Sequence, residues 1–275
     1  MDRCHWFDLP LDVQGAVREH TGDLERVEPV AAGSFADMAV ILRTAGRPVF
    51  CKATRADNPR AWVLRNEARL NGVLPRSVVP HLRWEVETGD WHVLGFDVAD
   101  GRHADLAPNS PDLTRIAATL EHLSALLTPS PTDRVQPATA RWAGRVAPEL
   151  VDGDTLLHTD VTARNFIIGS AVFVVDWSTP CRGAVWIDTA LMVVRLIRAG
   201  HTPGQAERWA ASVPMWQTAD PAALDAFSAA LAKLYTQRCQ ESPAQHRREL
   251  SAAARSWAAH RSPAWPRSAL RLPTS

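Results

Sequence analysis

The stretch "LLHTDVTARNFII", residues 156–168, sets His158, Asp160 and Asn165 between two apolar runs. Polar groups in such a setting must be hydrogen-bonded or used. A carboxylate such as Asp160 can take the proton of an attacking hydroxyl if it lies within hydrogen-bond reach of that group. Downstream, Phe166-Ile167-Ile168 and Ala171–Val175 read as strands joined by Gly169-Ser170, a two-residue hairpin turn. Pairing Ile168 with Ala171 would set Asn165 opposite Val174, with Asp176 two residues along the partner strand on the same face. Diagonal neighbours of that kind stand roughly 7–8 Å apart. That spacing suits two oxygen ligands on one hard cation, or two cations side by side. His158, flanked by Leu156 and Leu157, is expected to pack beneath the loop and hold its backbone. Taken singly, an Asp in a loop is a turn former and an Asn a cap; the combination carries the weight.

A second signal is compositional. The chain has 28 arginines and two lysines, Lys52 and Lys233. Where Arg serves almost every positive charge, a lysine is there for its compact ammonium. Lys52 ends an apolar run, "VFCKAT", and Glu67 follows fifteen residues later in "LRNEARL".

The elements that must position these residues follow from period and punctuation. Residues 8–20 read as a short helix, with Pro10 near its start and Gly22 past its end. From Val27 the pattern is strand, loop, strand, tight turn at 45–47, strand. Asn58-Pro59 opens a helix that runs to about Asn71-Gly72, and residues 78–98 form a hairpin turning at Thr88-Gly89-Asp90. Beyond residue 99 the pattern turns helical: Leu113, Ile116, Leu120, Leu123 and Leu127 recur at three and four after Ser110-Pro111. A second helix is expected across Trp142–Leu150, and residues 186–260 read as helical with turns at 202–204 and 220–221. The last fifteen residues, rich in Pro, Ser and Arg, are expected to be poorly ordered.

With His158-x-Asp160-x4-Asn165, a hairpin and Asp176-Trp177, and with Lys52 and Glu67 upstream, residues 25 to about 240 resemble the aminoglycoside phosphotransferase and choline kinase group. These are small-molecule kinases on a protein-kinase-like fold. The resemblance implies an α+β, bilobal architecture. Residues 1–98 would form a nucleotide-binding lobe of antiparallel sheet plus one helix, and 99–275 a mainly helical catalytic and substrate-binding lobe. The implied activity moves the γ-phosphoryl group of ATP or GTP, with Mg²⁺, to a hydroxyl of a small molecule, which could be an antibiotic. Asp160 would be the base, Asn165 and Asp176 the metal ligands, and Lys52, oriented by Glu67, would neutralise phosphate oxygens. Ser34, in "VAAGSFADM", and nearby backbone N–H groups would contact phosphate. The backbone of Asp97, Val98 and Ala99 would meet the adenine edge, and Asp188 would brace the catalytic loop from below.

Two departures are informative. The group's usual text is His-Gly-Asp, whereas this chain has His158-Thr159-Asp160, so the loop is expected to be shaped slightly differently for want of glycine's freedom at positive φ. The arginine and lysine that protein kinases carry at 159 and 162 are both threonine here, which favours a small-molecule acceptor over a protein. Residues 101–275 hold 18 Lys plus Arg against 15 Asp plus Glu, a balance of +3 that weighs against an aminoglycoside, although Glu149, Asp152 and Asp154 cluster before the loop. His201, Trp209 and Trp216 could line a substrate wall, but aromatics in helical regions are more often core.

The formal charge is zero with no basic stripe, so no nucleic-acid partner is expected. Four scattered cysteines without a CxxC pair speak for a reducing, cytoplasmic setting and against zinc or disulfides. The polar start "MDRCHWFDLPLD" has no apolar leader core, and no run nears the roughly 20 residues of a membrane span. The rival expectation is a nucleotide-binding pseudokinase or regulatory module without phosphotransfer. Such a module usually lacks a Lys, base or metal ligand, and here all five are present. Oligomeric state is not legible.

Overall fold

Pro10 and Gly22 bound the first helix as expected: α1 spans Leu11–Thr21, and Gly22 leaves it at φ +73°. In the computed structural model, which describes residues 4–30 and 36–262, the chain divides into two units. One runs to His103 and adds Ile167–Thr179; the other holds Ala104–Phe166 and the chain from Pro180 onward.

The first unit is built on five strands, β1 (Leu24–Pro29), β2 (Met38–Thr44), β3 (Val49–Arg55), β4 (Leu82–Thr88) and β5 (Trp91–Asp97). Their order is β1-β2-β3-β5-β4, every neighbour antiparallel. Strand periodicity divides the residues between two faces. Val49, Cys51 and Ala53 of β3 join Val40, Leu42, Trp84, Val86 and Val93 in a core closed by Trp6, Leu9, Val13 and Val17. On the opposite face Leu94 and Phe96 pack with Leu64 of α2 (Ala61–Asn71), and Lys52 pairs in register with Leu94. The alternation thus sets one lysine on the face that the helix covers.

Segment 167–179 contributes a small sheet to the same unit, in which Ile168 and Ile167 pair with Arg102 and His103. Here the structure corrects the expected two-residue turn. The strands are Phe166–Ile168 and Val172–Val174, joined by three residues, with the Gly169 N–H donating to the Ala171 carbonyl at 2.9 Å. The Asp100 carbonyl lies against Gly169, where a Cβ would collide with it. The glycine therefore serves a backbone crossing as well as a turn.

In the second unit, α3 (Asp112–Leu126) buries Ile116, Leu120 and Leu123 on one stripe. Trp142–Leu150 is not one helix: single turns at Ala138–Arg141 and Pro148–Val151 are separated by a bend in which Gly144 takes φ +71°. Four helices follow: Ile187–Arg198, Pro203–Ala210, Pro221–Glu241 and Gln245–Arg261. Thr202 caps the second of these in a reciprocal capping box with Gln205, and Asp220 caps the third. Trp142 and Trp186 meet Phe227 edge-on, each at 5.2 Å between ring centroids. No helix among the described residues is long and apolar enough to cross a membrane. The expectation of a disordered end falls almost wholly on residues outside those described.

Candidate active-site residues

In the first unit Lys52 is held by two acids. Its Nζ lies 2.8 Å from both Glu67 carboxylate oxygens and 3.5 Å from Asp176 Oδ1. Lys52 and Glu67 are 13% and 8% exposed, dry enough for charge-assisted bonds to be strong. Burial alone would push the Lys52 ammonium down, yet the two carboxylates outweigh it and hold it above the ordinary lysine value. The rings of Phe50 and Phe96 approach the ammonium, each centroid at 5.8 Å. Asp176 adopts φ +67°, a left-handed conformation for which aspartate is better suited than most residues. The Asn66 Nδ2 donates to the Ser178 carbonyl at 3.0 Å, fastening the Asp176 segment to α2 one residue before Glu67.

In the second unit the loop that follows Leu157 is wound around Asp160. Asn165 lies in a 3₁₀ turn, Ala163–Asn165, before its strand begins, so the strand-register expectation does not apply to it. Its Nδ2 donates to the Asp160 carbonyl at 2.8 Å and to Asp160 Oδ2 at 3.2 Å. The amide nitrogen is thereby committed to Asp160, and the amide oxygen takes no hydrogen bond among the described residues. The Asp160 N–H meets His158 Nδ1 at 3.2 Å, and His158 is buried beneath the loop as expected.

Asp188 braces this loop. Its two carboxylate oxygens accept the backbone N–H groups of His158 and Thr159, each at 2.8 Å. Burial raises its pKa, opposed by His158, the two backbone donors and Arg141. Thr159 takes φ +65°. A β-branched residue thus holds a left-handed conformation that glycine adopts more readily, with an Asp188 oxygen fixing its N–H.

One group escaped sequence reasoning. Arg195, on the helix Ile187–Arg198, places an Nη2 3.3 Å from Asp160 Oδ1. It is one of 28 arginines, 35 positions from Asp160, in an otherwise apolar helix, and nothing local singles it out. Of the remaining expectations, Ser34 lies outside the described residues. Asp97 ends β5 with its N–H on the His81 carbonyl and its carboxylate on Arg83 Nε at 2.7 Å. Val98 and Ala99 follow with no backbone partner among the described residues, which leaves their peptide groups open to a ligand. His201, Trp209 and Trp216 are structural. His201 Nε2 pairs with the Leu106 carbonyl, Trp209 donates to the Leu113 carbonyl, and Trp216 packs near Trp257.

Oxygen donors at Asp176 and Asn165 are of the kind a hard divalent cation takes, and both residues fit Mg²⁺ by donor chemistry. A separate group, Glu85, Glu87 and His92, brings its ligand atoms within 4.8 Å of one another, with His92 Nε2 already bonded to Glu85 at 2.6 Å.

The fold so described is the protein-kinase-like fold of aminoglycoside phosphotransferases and choline kinases. Among solved structures, a ternary complex of a thermostable mutant of aminoglycoside phosphotransferase APH(4)-Ia with AMP-PNP and hygromycin B superposes with a TM-score of 0.61 at 13% identity, covering 90% of this chain and 99% of that one. LicA in complex with AMP gives 0.60 at 12% identity over 92% and 98% of the two chains. Choline kinase LicA from Streptococcus pneumoniae gives 0.54 at 12% over 90% and 99%. No family model matches the chain, and no curated protein matches it in sequence.

Proposed function

We propose that this chain is a small-molecule kinase that transfers the γ-phosphoryl group of ATP or GTP, with Mg²⁺, to a hydroxyl of a small acceptor. The observation that carries the proposal is Lys52 held at 2.8 Å by Glu67 and at 3.5 Å by Asp176. A buried lysine kept charged and fixed in direction is a device for nucleotide phosphate oxygens, and one whose two acidic partners are a helix glutamate and a post-hairpin aspartate is the arrangement phosphoryl transfer requires. The fold, and its occurrence in proteins crystallised with AMP-PNP, AMP and hygromycin B, supports both the nucleotide and a small acceptor.

In this account Lys52 neutralises phosphate charge, and the open peptide groups of Val98 and Ala99 receive the base. Ser34 and its neighbours cover the phosphates. Asp160 accepts the proton of the acceptor hydroxyl, Asn165 fixes the direction of that carboxylate, and the oxygens of Asn165 and of Asp176 are the donors that would take Mg²⁺. Bound Mg²⁺ would neutralise charge on the transferred phosphoryl group. Catalysis would come mainly from positioning and electrostatics. The cytoplasm, where ATP, GTP and Mg²⁺ are plentiful, is the setting this activity needs.

The test is an acceptor screen with Mg²⁺ and ATP or GTP, read by mass spectrometry for gain of one phosphoryl group. Phosphorylation of a small hydroxyl compound supports the proposal. Nucleotide binding without phosphoryl transfer to any class of acceptor, or to water, would instead favour a regulatory module.

A further inference from the structure

Asp160 is 39% exposed and Arg195 15%. Among the described residues, the Arg195 side chain makes a single hydrogen bond, the 3.3 Å contact to Asp160 Oδ1, and none of its nitrogens is among the buried, unpartnered atoms. A guanidinium has five donors in a rigid fork, so the contact to Asp160 leaves others available to a ligand. If Arg195 served only to hold Asp160, it would repeat a contact that the loop itself already supplies. Asn165 Nδ2 already donates to that carboxylate at 3.2 Å, and to the Asp160 backbone carbonyl at 2.8 Å.

We infer that Arg195 is an acceptor-binding residue and that the acceptor is a short hydroxy compound carrying an oxyanion, a carboxylate or phosphate, close to the hydroxyl that is phosphorylated. The inference rests on Asp160 acting as the base in the proposed reaction. Its reach follows from the distances: a hydroxyl within about 3 Å of Asp160, and an oxyanion within about 3 Å of a guanidinium fork whose near nitrogen is 3.3 Å from the same carboxylate. The two acceptor groups then lie no more than about 9 Å apart, which a short compound spans. Arg195 also selects against cations. Paired with Arg195, Asp160 presents no uncompensated negative charge to an ammonium group, and the guanidinium repels one.

The experiment uses the full chain with Mg²⁺-ATP and matched acceptors: glycerol, glycerate, glycerol 3-phosphate, 4-hydroxybutyrate and pantothenate, with choline and hygromycin B as cations. Wild-type protein is expected to phosphorylate at least one anionic compound at least tenfold better in kcat/KM than glycerol or either cation; glycerate against glycerol 3-phosphate separates carboxylate from phosphate. Arg195→Gln should raise KM for that acceptor about tenfold to a hundredfold and leave KM for ATP unchanged, with partial rescue by Arg195→Lys, which keeps the charge and loses the fork. Preference for a cationic acceptor, equal KM in wild type and Arg195→Gln, or no turnover of any anionic member would overturn the inference. Turnover of a cation would leave the kinase proposal standing, whereas failure of wild-type protein to bind Mg²⁺-ATP would remove that proposal itself.

Discussion

The Asp188 carboxylate spans two consecutive peptide groups, accepting the N–H of His158 on one oxygen and that of Thr159 on the other, each at 2.8 Å. This contact explains how the loop before Asp160 keeps a left-handed residue without a glycine. Removing the carboxylate orphans two buried donors at once. Asp188→Ala should cost roughly 2–5 kcal/mol, from two bonds to a charged acceptor, and lower activity with it. Asp188→Asn, with one acceptor oxygen, should lie between. Urea denaturation of the three proteins checks this; equal stability would show that the bonds carry little.

Lys52 gives a pH signature. Its folded pKa lies above the ordinary 10.5, so the folded state retains this proton where the unfolded chain has lost it. The stability Lys52 supplies is complete below that ordinary value and falls as pH rises through the folded one. The stability difference between wild type and Lys52→Met should therefore narrow on the alkaline side of about 10.5, in unfolding curves taken at rising pH. Lys52→Met should also lose nucleotide affinity at neutral pH while remaining folded.

Gly95 of β5 lies under the indole of Trp84 on β4, and a Cβ there would overlap the Trp84 ring. Gly95→Ala has no easy relaxation, because the ring is itself packed in the core below the sheet. A loss of about 1–3 kcal/mol or more is expected from overpacking, measured as a shift in denaturation midpoint. Trp84→Leu should restore part of it in the double variant, and failure to do so would place the strain elsewhere.

Burial raises the Cys51 thiol well above its ordinary range and pushes Cys181 up to about 12. Both should resist alkylation in the native protein, because the thiolate is the reactive form. They should label only on unfolding. Cys4, part-exposed, is expected to label first, as peptide mapping after brief iodoacetamide treatment would show. Native labelling of Cys51 would contradict the packing of β3.

Much of this was legible in the sequence because the signals are local. The rarity of lysine marked Lys52 and the family resemblance paired it with Glu67, whereas the approach of Asp176 to Lys52 was not foreseen. The errors share a cause, which is competition among short-range bonds. Asn165 stays out of the strand because its amide bonds back to Asp160. The helix expected across Trp142–Leu150 breaks where Gly144 and Pro148 interrupt an apolar pattern that looked continuous. Thr159 takes an unfavourable conformation because an aspartate 29 positions away holds it there. Arg195 was invisible for the same reason: tertiary approach alone distinguishes it from the other arginines.

The central claim is that Asp160 is the base of a phosphoryl transfer. Asp160→Asn keeps the side-chain shape and removes the proton acceptor, so the variant should bind Mg²⁺-ATP with wild-type affinity, by calorimetry, and lose about 10²–10⁴-fold in kcat toward the acceptor found by the screen. Undiminished turnover by Asp160→Asn, with nucleotide affinity intact, would contradict the account.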